Sequence, residues 1–289
     1  MEDITDRSKS DDEDGFSMAR SFPDGTSCRT VSFRAVEYLR QTRFGGDGRR
    51  AEIFFLSQRI IPERYLRNMK TFTVEDQIRM LESHVCIVGM GGLGGAVVEI
   101  LARLGVGALT LIDGDQFEES NLNRQILATP QRIGLSKTKA AQIRIQEINP
   151  SLHVQEHAVY LNADNARQFI KSADVVVDCL DNLKTRFILE KAAKAAVIPL
   201  VSAAIAGSFG QITVVFPEDP GLERIYGPEH QTPVKGAETS LGALPHTAML
   251  LASLECSEVV KILLKRGVLL RNQLLVVDLM SNSIETFSV

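Results

Sequence analysis

Residues 85 to 105 read VCIVGMGGLGGAVVEILARLG. The run opens with short apolar residues of strand character. It turns through Gly89, Gly91 and Gly94, then continues as an apolar helical pattern stopped by Gly105 and Gly107. A strand followed by Gly-x-Gly-x-x-Gly and a helix brings backbone close to phosphate. The helix N-terminus adds unpaired N–H groups and the positive end of a dipole. Asp113 ends the next apolar run, ALTLID, about 20 residues on, where a carboxylate can accept hydrogen bonds from ribose hydroxyls. The turn and Asp113 by themselves suit either a dinucleotide or another nucleotide.

Working outward, strand and helix patterns alternate. HVQEHAVYL reads as a strand and NARQFIKS as a helix. DVVVDCLD is a strand, KTRFILEKAAKAA a helix and PLVSAAIAG a strand. The strands are apolar on both faces, which is the mark of a parallel sheet covered on both sides. GQITVVFP reads as an added strand and residues 217 to 241 as a long loop. ALPHTAMLLASLECSEVVKILLKR is a long helix and QLLVVDLMSNSIETFSV a closing hairpin. The expected fold is α/β: a Rossmann-like, doubly wound, mostly parallel sheet with helices on both faces and a C-terminal antiparallel extension. Upstream, TVEDQIRMLES is a short amphipathic helix with Thr73 as N-cap. RTVSFRAVEYLRQ reads as a strand running into a helix, FGGDGRR as a loop and EIFFLSQRIIP as an apolar stretch. The arginines of this region read as a solvated basic face.

Bulk composition narrows the classes. The chain has 289 residues, 44% hydrophobic and 24% charged, with a net charge of -4. That is ordinary for a globular protein and gives no general attraction for nucleic acid or anionic membrane. The four cysteines form no Cys-x-x-Cys pair, so no zinc clip is expected. The opening MEDITDRSKSDDEDG has no apolar core of a signal peptide, and no run is long and apolar enough for a membrane span. Cytoplasm is the expected location.

The choice of nucleotide rests on LIDGDQFEESNLNRQILATPQRIGLSK. Asn121, Arg124, Gln125 and Lys137 make a polar, basic group just past the second strand. Hydride transfer gains little from such cations, whereas a triphosphate needs its charge offset when phosphorus is attacked. Asp178 and Asp181 end the fourth strand, where ligands bind in open parallel sheets. Asp181 can hold magnesium or cap the following helix, and Asp178 reads as structural.

The motifs GMGGLGG, LIDGDQFEESNLNRQ, GLSKTKA, CLDN and the upstream ERYLRN resemble the ThiF/MoeB/HesA family, bacterial relatives of the ubiquitin-activating enzymes. The resemblance covers roughly residues 60 to 289 and looks most like HesA-type members. Residues 1–28 read as a disordered acidic tail and 29–60 as an N-terminal extension of unknown role, both outside the resemblance, which implies an adenylation domain at 61–289 whose crossover loop is 217–241. It also implies that Gly89, Gly91, Gly92 and Gly94 form the nucleotide turn and that Asp113 binds the ATP ribose. Asn121, Arg124 and Lys137 would contact phosphates, with Gln125 in support. Asp181 would coordinate Mg2+. Arg67 would act as an arginine finger across a homodimer.

The implied reaction is adenylation of the C-terminal glycine carboxylate of a ubiquitin-like sulfur carrier of the ThiS or MoaD kind. Many family members carry two Cys-x-x-Cys pairs for zinc, and some a cysteine in the crossover loop. This chain has neither, so no zinc is expected and sulfur would come from a separate donor. The same chemistry on a peptide or tRNA is an alternative. An NAD-dependent oxidoreductase is disfavoured by Arg124, Lys137 and Asp181.

Overall fold

The structure is a computed structural model and describes residues 17–21, 26–232, 236 and 238–289. The chain divides into two compact units, Met1–Ile78 and Arg79–Val289. In the first, strands β1 (Ser17–Ser21) and β2 (Ser27–Val31) pair antiparallel, and β2 pairs parallel with β3 (Ile60–Pro62). Between β2 and β3 lie α1 (Phe33–Thr42) and α2 (Gly48–Ser57). Ser32 caps α1 and Asp47 caps α2 through side-chain oxygens that accept the third helical N–H. Val31, Ala35, Val36, Ala51, Phe55 and Ile60 form the core of this unit.

Three readings change here. The tail expected over 1–28 lies largely outside the described residues. Its described part includes the strand Ser17–Ser21, because backbone pairing to Ser27–Val31 supplies order that its polar composition does not announce. The FGGDGRR loop stops at Asp47, whose carboxylate starts a helix that takes in Arg49 and Arg50. EIFFLSQRIIP is the end of that helix followed by β3. Helix α3 (Val74–Glu82) begins as expected: the Thr73 hydroxyl accepts the Asp76 N–H and the Asp76 carboxylate accepts the Thr73 N–H.

The second unit is built on one eight-stranded sheet. Along the chain come β4 (His84–Val88), α4 (Gly92–Leu104), β5 (Ala108–Ile112), α5 (Lys137–Ile148) and β6 (His153–His157). Next are α6 (Ala166–Ile170), β7 (Val175–Asp178), α7 (Leu183–Ala196), β8 (Leu200–Ala206) and β9 (Phe209–Val215). The expected loop holds two short helices, α8 (Glu223–Tyr226) and α9 (Glu238–Leu241). The chain closes with α10 (Pro245–Leu264), β10 (Gln273–Asp278) and β11 (Ser283–Ser288).

The spatial order is β11-β10-β9-β8-β7-β4-β5-β6. The five strands from β8 to β6 are parallel, and β9, β10 and β11 are antiparallel. The expected α/β architecture with its antiparallel extension is what the chain adopts. One sheet face is covered by α6 and α7, with Phe187, Leu189 and Ile170 in its core. On the other, α4 packs against α5 and α10. β6 is shorter than expected: the Val159 N–H folds back onto the His157 carbonyl, so residues 159–161 leave the sheet. No helix of the described residues is long and apolar enough to cross a membrane.

The order of construction positions the site. The chain builds β4, β5 and β6 outward in one direction, then returns to place β7 on the other side of β4. Ligands in open α/β sheets bind at the carboxyl ends of the strands where this reversal occurs.

Candidate active site

A pocket of about 970 Å³ lies at that reversal, its walls built wholly from the second unit. Gly89, Gly91 and Gly92 line it. Gly89 has φ +92, and a Cβ there would stand 2.6 Å from the Cys179 carbonyl oxygen. A Cβ at Gly94 would overlap the Gly89 carbonyl oxygen. Gly94 therefore lets α4 pack onto the turn but does not itself line the pocket.

Asp113 follows β5 and ties the turn to it. One of its oxygens accepts the Met90 N–H at 2.6 Å and the other the Asp115 N–H at 2.7 Å. Burial pushes its carboxyl above the ordinary range, against the pull of Lys137 and these two hydrogen bonds. Lys137, buried, opens α5 and pairs with Asp115 at 2.9 Å. The Tyr160 hydroxyl donates to the other Asp115 oxygen at 2.7 Å. Burial would raise the Asp115 carboxyl, but the hydrogen bonds from Lys137 and Tyr160 outweigh it and hold the group below its usual range. Asp115 and Tyr160 both line the pocket. Neither stands out in the sequence, although Asp115 is two residues past Asp113 in the same LIDGD run.

Arg124 lines the pocket, its guanidinium steadied by the Ser120 carbonyl at 3.0 Å and the Asn123 side chain at 2.9 Å. Gln125 is 5% exposed and also lines the pocket. Its Oε1 is the buried side-chain polar atom without a hydrogen-bond partner among the described residues. Such an acceptor is costly unless a ligand or solvent donor reaches it. Asn121 is not brought into the lining. Its Oδ1 accepts the Glu118 N–H at 3.1 Å in a reciprocal cap, so the side chain shapes the loop that carries Arg124. Arg67 lies exposed in the first unit and is not part of this lining.

Asp181 is exposed on the pocket wall after β7. It does not cap α7: Asn182 does, accepting the Thr185 N–H at 2.9 Å, which leaves the Asp181 carboxylate to the pocket. Asp178 is structural, as its position suggested. It is fully buried and pairs with Arg186 at 2.9 Å, and Ser202 donates to it at 2.7 Å. Arg186 also donates to the Leu180 carbonyl, while Asp178 accepts the Leu180 N–H at 3.0 Å. Both backbone groups next to Asp181 are thus held by one buried ion pair. Beneath them, Glu255 of α10 lies 3.7 Å from the Cys179 sulfur, and burial with the nearby Asp178 charge raises its carboxyl well above the ordinary range. Sequence reading missed Arg186 and Glu255, since a charged residue in an apolar helix pattern reads as a solvated one.

A family model described as ThiF family matches residues 65–289. The chain belongs to the ThiF family. It is 45% identical over 153 residues to adenylyltransferase and sulfurtransferase MOCS3 of Drosophila willistoni, covering 52% of this chain and 34% of that protein. It is 35% identical over 229 residues to the SAMP-activating enzyme E1 of Haloferax volcanii, covering 78% of this chain and 84% of that one. The chain spans 34% and 48% of the length of the MOCS3 proteins of Drosophila willistoni and Drosophila ananassae. Among solved structures, E. coli MccB with MccA-N7isoASN matches with a TM-score of 0.68 at 23% identity, covering 78% of this chain and 71% of that one. PaaA matches with a TM-score of 0.64 at 20% identity, covering 78% and 82%. These two likenesses bear on the fold alone.

Among the described residues, no group of three or more His, Cys, Asp or Glu side chains is placed to hold a metal ion. A magnesium ion bound together with a nucleotide needs less, because it takes one or two carboxylates and draws its other ligands from phosphate and water. Asp181, an exposed carboxylate on the wall, fits that requirement.

Proposed function

We propose that this chain is an ATP-dependent adenylyltransferase. Its substrate is the C-terminal glycine carboxylate of a ubiquitin-like sulfur carrier of the ThiS or MoaD kind, and it works in the cytoplasm. The observation that carries the reading is that one pocket gathers the glycine turn, Asp113, Arg124, Lys137 and Asp181, with an unpaired buried acceptor on Gln125. The ThiF membership and the relatives named as adenylyltransferase and activating enzyme point the same way.

In this reading the N-terminus of α4 and the glycine turn face the phosphates, and Asp113 accepts from the ribose hydroxyls. A carboxylate oxygen of the carrier attacks the α-phosphorus. The bond to the bridging oxygen breaks and pyrophosphate leaves, giving an acyl-adenylate. Arg124 and Lys137 offset the charge that builds on the α-phosphate. Lys137 must then share itself between Asp115 and the nucleotide. Asp181 would hold magnesium, whose charge would offset part of that on the phosphates. The Gln125 Oε1 gains a donor from the ligand or its water.

No protein nucleophile is required, since alignment and charge neutralisation suffice. In keeping with that, burial raises all four cysteine thiols, so none supplies a ready thiolate at neutral pH. Sulfur would come from a separate donor. Arg67 would complete the site from a second copy of the chain in a homodimer.

The test is ATP–pyrophosphate exchange with and without a carrier ending in Gly-Gly. Carrier-dependent exchange that vanishes in Asp181→Ala is the expected result. ATP binding with no exchange for any carrier would move the substrate to another carboxylate. For the composite site, a mixed Arg67→Ala and Asp181→Ala dimer should recover part of the activity that each homodimer lacks, and a verified mixed dimer with none would count against it.

A further inference from the structure

Asp115 and Tyr160 line the pocket, yet adenylation as such asks nothing of either. The Asp115 carboxylate stands between two donors. The Lys137 ammonium reaches one oxygen at 2.9 Å and the Tyr160 hydroxyl the other at 2.7 Å. Backbone bonds fix the carboxylate from both sides. The Asp115 carbonyl accepts the Lys137 N–H at 3.1 Å, and the Asp115 N–H donates to the Asp113 carboxylate at 2.7 Å.

Tyr160 is brought there by its own loop. Its carbonyl accepts the Asn165 side-chain amide at 3.0 Å, Asn165 accepts the Asn162 N–H at 2.8 Å, and the next residue, Leu161, is buried. The ring seats on Gly114. A Cβ at that position would stand 2.6 to 2.8 Å from three ring atoms, so a larger residue would push the phenol away from Asp115. Tyr160 nevertheless keeps 69% of its surface exposed. Burial therefore does not explain its placement; the tied backbone, the glycine seat and the bond to Asp115 do.

A carboxylate and a phosphate compete for the same ammonium. Bonded to Lys137 alone, Asp115 would hold it tightly. Accepting the phenol as well, Asp115 spends part of its charge on a second donor and grips Lys137 less. The phenol also keeps the carboxylate hydrogen-bonded after the ammonium turns away, so that its departure leaves no unpaired anion beside the phosphates. We propose that Asp115 and Tyr160 form a holder for Lys137: Asp115 keeps the ammonium at the pocket wall, and the Tyr160 hydroxyl makes it releasable to the α-phosphate as the carrier's carboxylate attacks. This rests on the adenylation reading. Tyr160 is a positioning residue, acting on the reaction through Lys137. The charges suit the task. Against the upward push of burial, the bonds from Lys137 and Tyr160 hold the Asp115 carboxyl low, and the bond to Asp115 raises the Tyr160 hydroxyl, so the acceptor stays ionised and the donor keeps its proton.

The experiment measures pyrophosphate exchange with a MoaD-type carrier ending in Gly-Gly, at saturating ATP, for Tyr160→Phe alone and combined with Lys137→Met. Tyr160→Phe removes the hydroxyl and keeps the ring on Gly114. It should lower kcat about threefold to tenfold, part of the worth of a hydrogen bond to a charged group, with the KM for ATP little changed. In the Lys137→Met background the same substitution should cost nothing further, because the ammonium it helps to release is gone. Gly114→Ala, which pushes the ring off its seat, should reproduce the Tyr160→Phe loss. A Tyr160→Phe protein that exchanges at the parent rate would overturn the proposal. An equal fold-loss with Lys137 present and absent would also overturn it, because Tyr160 would then shape the pocket without acting through the lysine. Parent protein that binds ATP but exchanges with no Gly-Gly-ended carrier would instead overturn the adenylation reading on which the proposal rests.

Discussion

Replacing Arg186 by methionine should nearly unfold the second unit, although the side chain sits beside the pocket and touches no reacting atom. Its guanidinium pairs with Asp178 at 2.9 Å, with both side chains almost wholly buried, and it donates to the Leu180 carbonyl. Removing one partner of a buried pair leaves an uncompensated charge and costs about 3–5 kcal/mol. The hydrogen bond to Leu180 adds about 1 kcal/mol. That is comparable with the whole net stability of a domain, about 5–15 kcal/mol. The double variant Asp178→Asn with Arg186→Met removes both charges together and should return most of the loss, because the desolvation cost disappears with the pair.

The two variants separate fold from site. Urea denaturation should place the single variant at least about 3 kcal/mol below the parent and the double variant within about 2 kcal/mol of it. The double variant should still exchange pyrophosphate poorly, since the Leu180 carbonyl has lost its donor and Asp181 is the next residue. A single variant that loses under about 1 kcal/mol would refute the reasoning about the buried pair. A stable double variant with full activity would refute the positioning of Asp181.

Three further outcomes are expected. Glu255 has a carboxyl raised well above the ordinary value in the folded state, so the folded protein holds a proton that the unfolded chain has lost. Stability from this group is therefore present at low pH and falls as pH rises from the ordinary carboxylate range toward the raised value. Glu255→Gln should remove that slope, and thermal melts from about pH 5 to 8 should show the variant gaining on the parent as pH rises; parallel curves would count against it. Gly94→Ala should abolish nucleotide binding or folding, because its Cβ would overlap the Gly89 carbonyl, and a variant that binds ATP normally by calorimetry would contradict the packing described. Lys137→Met should lower kcat of exchange by about 10²–10³, the scale of a charge-stabilising donor, with ATP affinity falling less.

The fold was legible because its signals are strong and local. Buried strands read as continuous apolar runs, and Gly105, φ +83, ends α4 where the pattern stops. The site was legible at the turn, at Asp113 and at the cations, because a glycine motif, an acid at fixed spacing and a basic run each have a mechanism. Roles set by tertiary pairing were hidden. Asp181 and Asn182 are both good caps, and only the structure shows which one accepts the Thr185 N–H. Asn121 sits among the phosphate-binding motif residues but spends its side chain on Glu118. Tyr160 meets Asp115 only because β6 stops at His157, and alternation alone does not announce that stop. The strand Ser17–Ser21 owes its order to pairing rather than to composition.

The central claim is that the carrier's carboxylate attacks the α-phosphorus of ATP. Incubating the protein with ATP, Mg2+ and a Gly-Gly-ended carrier in the presence of hydroxylamine, then weighing the carrier by mass spectrometry, tests it most directly. The account predicts a C-terminal hydroxamate on the carrier, formed only with ATP, absent with Asp181→Ala and accompanied by equal amounts of pyrophosphate and AMP. An unmodified carrier alongside ATP consumption to ADP and phosphate would contradict it, because the nucleotide would then be cleaved at the wrong phosphorus.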